Sequence, residues 1–273
     1  MNLLEVRNLR VWDGRGGSVL VSDSSFQLKK GSCLAIIGES GSGKSLTCRA
    51  IMRLNGRGLL QSGEIRFKGV DLNELDEREM RSRRGKQLYM ILQNGMRAFD
   101  PSSVIGVHLR ETLARHYRWN KNETTEKLRQ AMQSVRLQDP IGILNKYPHQ
   151  LSGGMLQRVM IALALLLEPD VILADEPTTA LDTVSKFEVV EQFIQLRERT
   201  GCSMIFVSHE LGVVRKLADE VMVMRAGSVI ESGTAAAIFS NARHDYTRYL
   251  TSSQRKLNDR FQELMGGAGI ADR

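Results

Sequence analysis

Cys33-Leu34-Ala35-Ile36-Ile37-Gly38-Glu39-Ser40-Gly41-Ser42-Gly43-Lys44-Ser45 runs from an apolar stretch into a glycine-rich one and leaves it through a lysine. An unbroken apolar run of this length reads as a strand buried on both faces of a sheet. The glycines let the backbone turn tightly, so that successive N–H groups can point inward. A helix from about Lys44 to Leu54 adds its positive dipole end at the same place. Strand, loop and helix in this order form a phosphate cradle, with Gly38, Ser40, Gly41, Ser42, Gly43, Lys44 and Ser45 as its binding candidates.

The loop fits the Walker A pattern in full. Lys44 is placed to hold the β- and γ-phosphates of ATP, and Ser45 to ligate Mg2+. Kinases, GTPases and many motors share this pattern, so a second segment is needed. Val171-Ile172-Leu173-Ala174-Asp175-Glu176 is an apolar strand that ends in two acids, and Pro177 closes it. Such a strand delivers its acids to the carboxyl edge of the sheet, where open α/β sheets bind ligands. Asp175 is expected to hold the magnesium shell. Glu176, one residue on, is expected to face the γ-phosphate and polarise the attacking water.

Working outward, Leu4, Val6, Leu9 and Val11 line one side of a strand, and Phe26 and Leu28 mark another. The turn-rich run Asp13–Gly17 separates them, which predicts a small antiparallel sheet. Further strands are expected at 64–68, 87–92, 171–175, 204–208 and 221–224, with a charged helix from Asp76 to Arg84. From about Val104 to Leu137 the pattern is helical, and Asn122 is the expected N-cap of the helix carrying Leu128, Met132 and Val135. Alternating strands and helices predict a mostly parallel sheet covered on both faces. The helical segment, about 96–157, reads as an insertion into a domain of residues 1–250. Residues 251–273 form a basic C-terminal tail.

The chain has 273 residues, room for one large α/β domain. No window approaches the roughly 20 apolar residues of a membrane span, and Glu5 sits where a signal peptide would be apolar. Cys33, Cys48 and Cys202 lack metal-ligand or redox spacing and read as buried, reduced thiols. The net charge of +7 fits nucleic acid, an anionic membrane face or a plain solvated surface. The cluster Arg78, Arg81, Arg83, Arg84 and Lys86, with Lys29 and Lys30, is expected to face a membrane rather than nucleic acid.

Leu151-Ser152-Gly153-Gly154-Met155-Leu156-Gln157-Arg158 selects among the phosphate-loop proteins. It is a second helix start with a hydroxyl and two glycines, hence a second anion site. With one ATP per Walker A loop it lies idle unless it reaches another subunit's nucleotide. The segment resembles the signature of ABC transporter ATPases, with Met155 in place of the usual glutamine. The other parts follow in the family's order, over roughly residues 3–250. Gln93 looks like the Q-loop glutamine, in the catalytic set and near the magnesium ion. Thr179-Ala180-Leu181-Asp182 looks like the D-loop, with threonine for the more frequent serine. His209 looks like the switch histidine, and Trp12 is the candidate for stacking on adenine.

The resemblance implies a RecA-like P-loop core, an antiparallel β subdomain and an inserted α-helical subdomain. It implies ATP hydrolysis in a head-to-tail dimer, with Ser152, Gly154 and Asp182 acting on the nucleotide of the opposite chain. Implied partners are transmembrane permease subunits, a second ATPase subunit (a paralogue, or an identical copy) and, indirectly, a substrate-binding protein. The implied place is peripheral, on the cytoplasmic face of the cell membrane. Asn94-Gly95-Met96-Arg97-Ala98-Phe99-Asp100-Pro101, the Met-Leu-Gln-Arg signature and His244-Asp245-Tyr246-Thr247 are similar to the peptide/nickel importer branch. With no cysteine after Cys202, the chain looks most like nickel and opine-metallophore import ATPases, with di- and oligopeptide importers as the alternative.

Overall fold

The computed structural model describes residues 2–179 and 181–252. In chain order its elements are β1 (Asn2–Asp13), β2 (Val19–Lys29), β3 (Cys33–Ile37), α1 (Lys44–Ile51), β4 (Leu59–Phe67), β5 (Val70–Asp71), α2 (Glu77–Arg83), β6 (Leu88–Ile91), α3 (Ile105–Ala114), α4 (Lys121–Ser134) and α5 (Pro140–Leu144). There follow α6 (Gly153–Leu167), β7 (Val171–Asp175), α7 (Thr183–Thr200), β8 (Ser203–Val207), α8 (Leu211–Leu217), β9 (Glu220–Arg225), β10 (Ser228–Thr234) and α9 (Ala235–Ser240). Of the tail expected at 251–273, all beyond Ser252 lies outside the described residues.

The strands form two sheets, ordered β2-β1-β4-β5 and β10-β9-β3-β8-β7-β6. The first is antiparallel. In the second, β9, β3, β8, β7 and β6 run parallel and only β10 is antiparallel. Strand side chains alternate between faces, and each central strand divides accordingly. Leu34, Ile36, Leu173, Ile205 and Val207 join β1, β2 and α1 in one core. Cys33, Ile172, Ala174, Met204 and Phe206 join α6 and α7 in another, which continues into α3 and α4. Ala35 and Ile37 pack on α8 and α9. The sheet is therefore covered on both faces, as unbroken apolar strands require.

In β1 both Val6 and Leu9 are buried, although three residues of regular strand would put them on opposite faces. A register shift between them, with Asn8 at φ 51°, returns Leu9 to the core. Opposite, Gly63 has φ 100°, and a Cβ there would lie 2.5 Å from the Asn8 carbonyl oxygen.

Some expected boundaries move. The phosphate-loop helix ends at Ile51 rather than Leu54, because Arg53 turns left-handed at φ 50°. Asn122 is not a cap. Asn120 is, accepting from Glu123 N while the Glu123 carboxylate accepts from Asn120 N. That reciprocal box needs a Glu three residues on, which Asn120 has and Asn122 lacks. Asn120→Ala should cost about 1 kcal/mol in chemical denaturation, and Asn122→Ala clearly less.

The three cysteines are free and buried. The basic run is largely engaged within the fold. Arg84 donates to Met52 O, Arg53 O and Glu77, Arg83 donates to Gln87, and Lys86 donates to Tyr117 and Leu167 O. Arg81 and Lys29 pair with Glu77 and Glu220. Most of these cations are thereby committed to contacts within the chain.

Candidate active site

Four parallel strands release the site's residues at their carboxyl ends. β3 leads into the loop at Gly38, β7 ends on Asp175, β8 leads to His209, and β6 leads to Gln93. Because the strands are parallel, these ends lie on one edge of the sheet.

The loop is built for an anion. Gly38, Gly41 and Gly43 have φ of 150°, 80° and 100°, which side chains other than hydrogen resist. At Gly38 a Cβ would lie 2.1 Å from Met224 O, so the site closes to any other residue. Lys44, only 4% exposed, donates to Gly38 O at 2.9 Å and Glu39 O at 2.7 Å. Burial lowers its pKa, against the raising fields of Glu176, Asp175 and Glu39. Ser42 is buried with its hydroxyl unpartnered within the chain, while Ser40 and Gly41 are exposed.

Ser45 donates from Oγ to Asp175 Oδ1 at 2.6 Å. Asp175 is buried, and burial raises its pKa, with Ser45 and Arg49 opposing. A hydroxyl and a carboxylate are hard oxygen donors suited to a divalent cation that keeps its other positions for water and phosphate, as Mg2+ does. Among the described residues no group of three His, Cys, Asp or Glu forms a metal cage, so a cation here would take its other positions from donors outside that set. The pair fits Mg2+ on those terms.

Glu176 gathers the remaining groups. Its Oε2 accepts from Thr179 Oγ1 at 2.9 Å and Gln93 Nε2 at 3.3 Å, and lies 3.3 Å from His209 Nδ1. Its Oε1 is 3.9 Å from Lys44 Nζ. The residue has φ 45°, a conformation costing roughly 1–3 kcal/mol outside glycine. Its N–H is held by Val207 O at 3.0 Å. The backbone is thus bent to bring a carboxylate beside the lysine.

Ser152 and Gly154 form a separate place. Ser152 caps α6, accepting from Met155 N at 3.2 Å, and is exposed. A Cβ on Gly154 would touch Ser185 at 3.4 Å and Leu181 at 3.7 Å, so the start of α6 lies against the start of α7. Asp182 caps that helix through Val184 N and Ser185 N, and these bonds depress its pKa, the Ser185 side chain most. The exposed Ser152 and Asp182 therefore mark neighbouring helix starts.

Sequence reasoning missed the tie between the two places. Gln157 on α6 donates to Leu92 O at 3.0 Å and Gln93 O at 3.4 Å. A Cβ on Gly95 would fall 2.8 Å from Leu156 Cβ. The loop after β6 is therefore bound to the signature helix on both sides of Gln93. Gly95→Ala should destabilise the chain by about 1–3 kcal/mol through overpacking, read as a lower urea midpoint.

Trp12 is half-buried on β1. Val19 and Leu60 are its cross-strand neighbours, 41% and 50% exposed, and together they make an apolar strip. Arg10 lies over the indole at 5.7 Å. Two residues along β2 from Val19, Val21 adjoins the phosphate loop, where a Cβ on Gly43 would meet it at 3.0 Å.

Residues 21–179 match the family model described as ABC transporter. The chain belongs to the ABC transporter family. As an ABC ATPase it is 47% identical to the metal-staphylopine import system ATP-binding protein CntD of Staphylococcus aureus, over 98% of both chains. It is 41% identical to the oligopeptide transport ATP-binding protein OppD of Bacillus subtilis, over 96% of this chain and 74% of that one. The dimeric post-hydrolysis structure of the ATP-binding cassette MJ0796, bound to ADP and Pi, superimposes with a TM-score of 0.75 at 26% identity, covering 85% of this chain and 98% of that one. The fold is the P-loop ATPase cassette expected from the sequence, and a domain of this family binds ATP. No helix among the described residues is long and apolar enough to cross a membrane.

Proposed function

We propose that this ABC ATPase hydrolyses ATP to drive uptake of a metal bound to an opine-type metallophore. The observation that carries the reading is 47% identity over 98% of both chains with a metal-staphylopine import ATPase. The oligopeptide ATPase, at 41%, is matched over 74% of its length, and peptide uptake is the second reading.

In this reading Lys44 and the N–H groups of the loop bind the β- and γ-phosphates. Ser45 and Asp175 hold Mg2+, with Gln93 beside them, and the ion neutralises phosphate charge when bound. Glu176 is the general base. Its Oε2 takes hydrogen bonds from Thr179 and Gln93, which aims the carboxylate, and His209 flanks the same oxygen. Trp12 stacks on adenine. Ser152, Gly154 and Asp182 act on the nucleotide of a second subunit, a paralogue or an identical copy. The domain spans residues 1–250, with the helical subdomain at about 96–157. It sits peripherally at the cytoplasmic membrane face on transmembrane permeases, which a substrate-binding protein loads. No part is assigned to nucleic acid.

Isolating the tagged chain from membranes should recover permease subunits and a second ATPase. Cells lacking the chain should lose uptake of radiolabelled metal presented as an opine chelate and keep dipeptide uptake. The opposite pattern assigns the transporter to peptides.

A further inference from the structure

Tyr246, in His244-Asp245-Tyr246-Thr247, lies 207 residues from Glu39 and outside the matched family segment, yet it touches the phosphate loop. The Glu39 N–H donates to the Tyr246 hydroxyl oxygen at 3.0 Å. Tyr246 is 5% exposed. Its ring packs in the cluster of Ala35, Ile37 and Val223, and Arg225 covers it at 4.8 Å. The turn before it is fixed as well. Glu231 accepts from Arg243 N at 2.7 Å and His244 N at 3.1 Å, and His244 Nδ1 accepts from Tyr246 N at 3.1 Å.

The Glu39 N–H belongs to the same peptide unit as the Gly38 carbonyl. In a trans peptide the two point in opposite directions. Tyr246 holds one end of this unit, and Lys44 Nζ donates to the other at 2.9 Å. The unit begins at a glycine with φ 150°, the residue type least able to fix its own orientation. A lysine ammonium has three donors. The Gly38 and Glu39 carbonyls take two, and the third is then aimed by geometry.

We propose that Tyr246 is a positioning residue for ATP binding, whose hydroxyl locks the Gly38–Glu39 peptide and so aims Lys44. This rests on the assignment of Lys44 to the phosphates. The segment after the last strand of the sheet thereby becomes part of the nucleotide site, as a brace on the loop from behind.

The test is ATP affinity of the full chain by calorimetry, with turnover measured in parallel. Tyr246→Phe keeps the ring and removes only the hydroxyl. It should weaken ATP binding about fivefold, the scale of one hydrogen bond, with kcat within about twofold and the melting temperature without nucleotide unchanged. Glu231→Gln, which loosens the turn, should weaken binding in the same direction. In a Lys44→Arg background, where the planar fork cannot reproduce the ammonium's aim, Tyr246→Phe should add little. Unchanged affinity in Tyr246→Phe, or an equal loss added to Lys44→Arg, overturns the proposal. The underlying assignment fails separately, if Lys44→Ala binds ATP as the parent does.

Discussion

A chain carrying Glu176→Gln is expected to bind ATP as the parent does and to hydrolyse it about 10²–10⁴-fold more slowly. The amide keeps an oxygen to accept from Thr179 Oγ1, which now lies 2.9 Å from the carboxylate. What it loses is the capacity to take a proton from water. Binding survives because Lys44 is held chiefly by two carbonyls of its own loop, with the carboxylate farther off at 3.9 Å. Unable to complete turnover, the variant should accumulate as an ATP-bound dimer in size-exclusion chromatography. Single-turnover hydrolysis at near the parental rate would remove Glu176 from the role of base.

The second large effect concerns how lesions are distributed between two chains. Ser152 and Asp182 lie together at the starts of α6 and α7, while Lys44, Ser45, Asp175 and Glu176 lie together at the sheet edge. If each ATP bridges one group to the other group of the opposite subunit, two sites exist per dimer. Lys44→Ala on one subunit with the signature serine replaced on its partner puts both lesions in one site and leaves the other whole. Both lesions on one chain damage both sites. The first arrangement should retain about half of the activity, and the second should retain almost none. Equal activities in the two arrangements would show that the sites are not shared.

The parts of the site that could be read in advance are those whose signal is local. The loop announces itself because its glycines, its lysine and the preceding apolar strand are contiguous, and Asp175 and Glu176 because they terminate such a strand. Elsewhere the decisive neighbour is remote or the pattern is faint. β10 has only half-buried and exposed residues on a sheet edge, so no apolar alternation marks it. Gln157 looks like one more polar residue on a helix until its amide is seen bonding Leu92 and Gln93, 65 and 64 positions away. Tyr246 was notable only as part of a resemblance, since its partner in the loop is 207 residues distant. Asn120 and Asn122 are alike in composition, and the glutamate at 123 separates them.

The burial of all three cysteines has a bearing on the cell's chemistry around this subunit. Desolvation pushes each thiol pKa upward, most strongly for Cys33 and Cys48. The thiolate, which oxidants attack and which soft metals such as copper and zinc bind, is therefore scarce in the folded chain. Were metal the cargo, as proposed above, the subunit would meet its highest metal concentrations when the transporter works fastest. With no accessible thiolate among its described residues, it would offer such ions no thiolate ligand and peroxide no thiolate to oxidise.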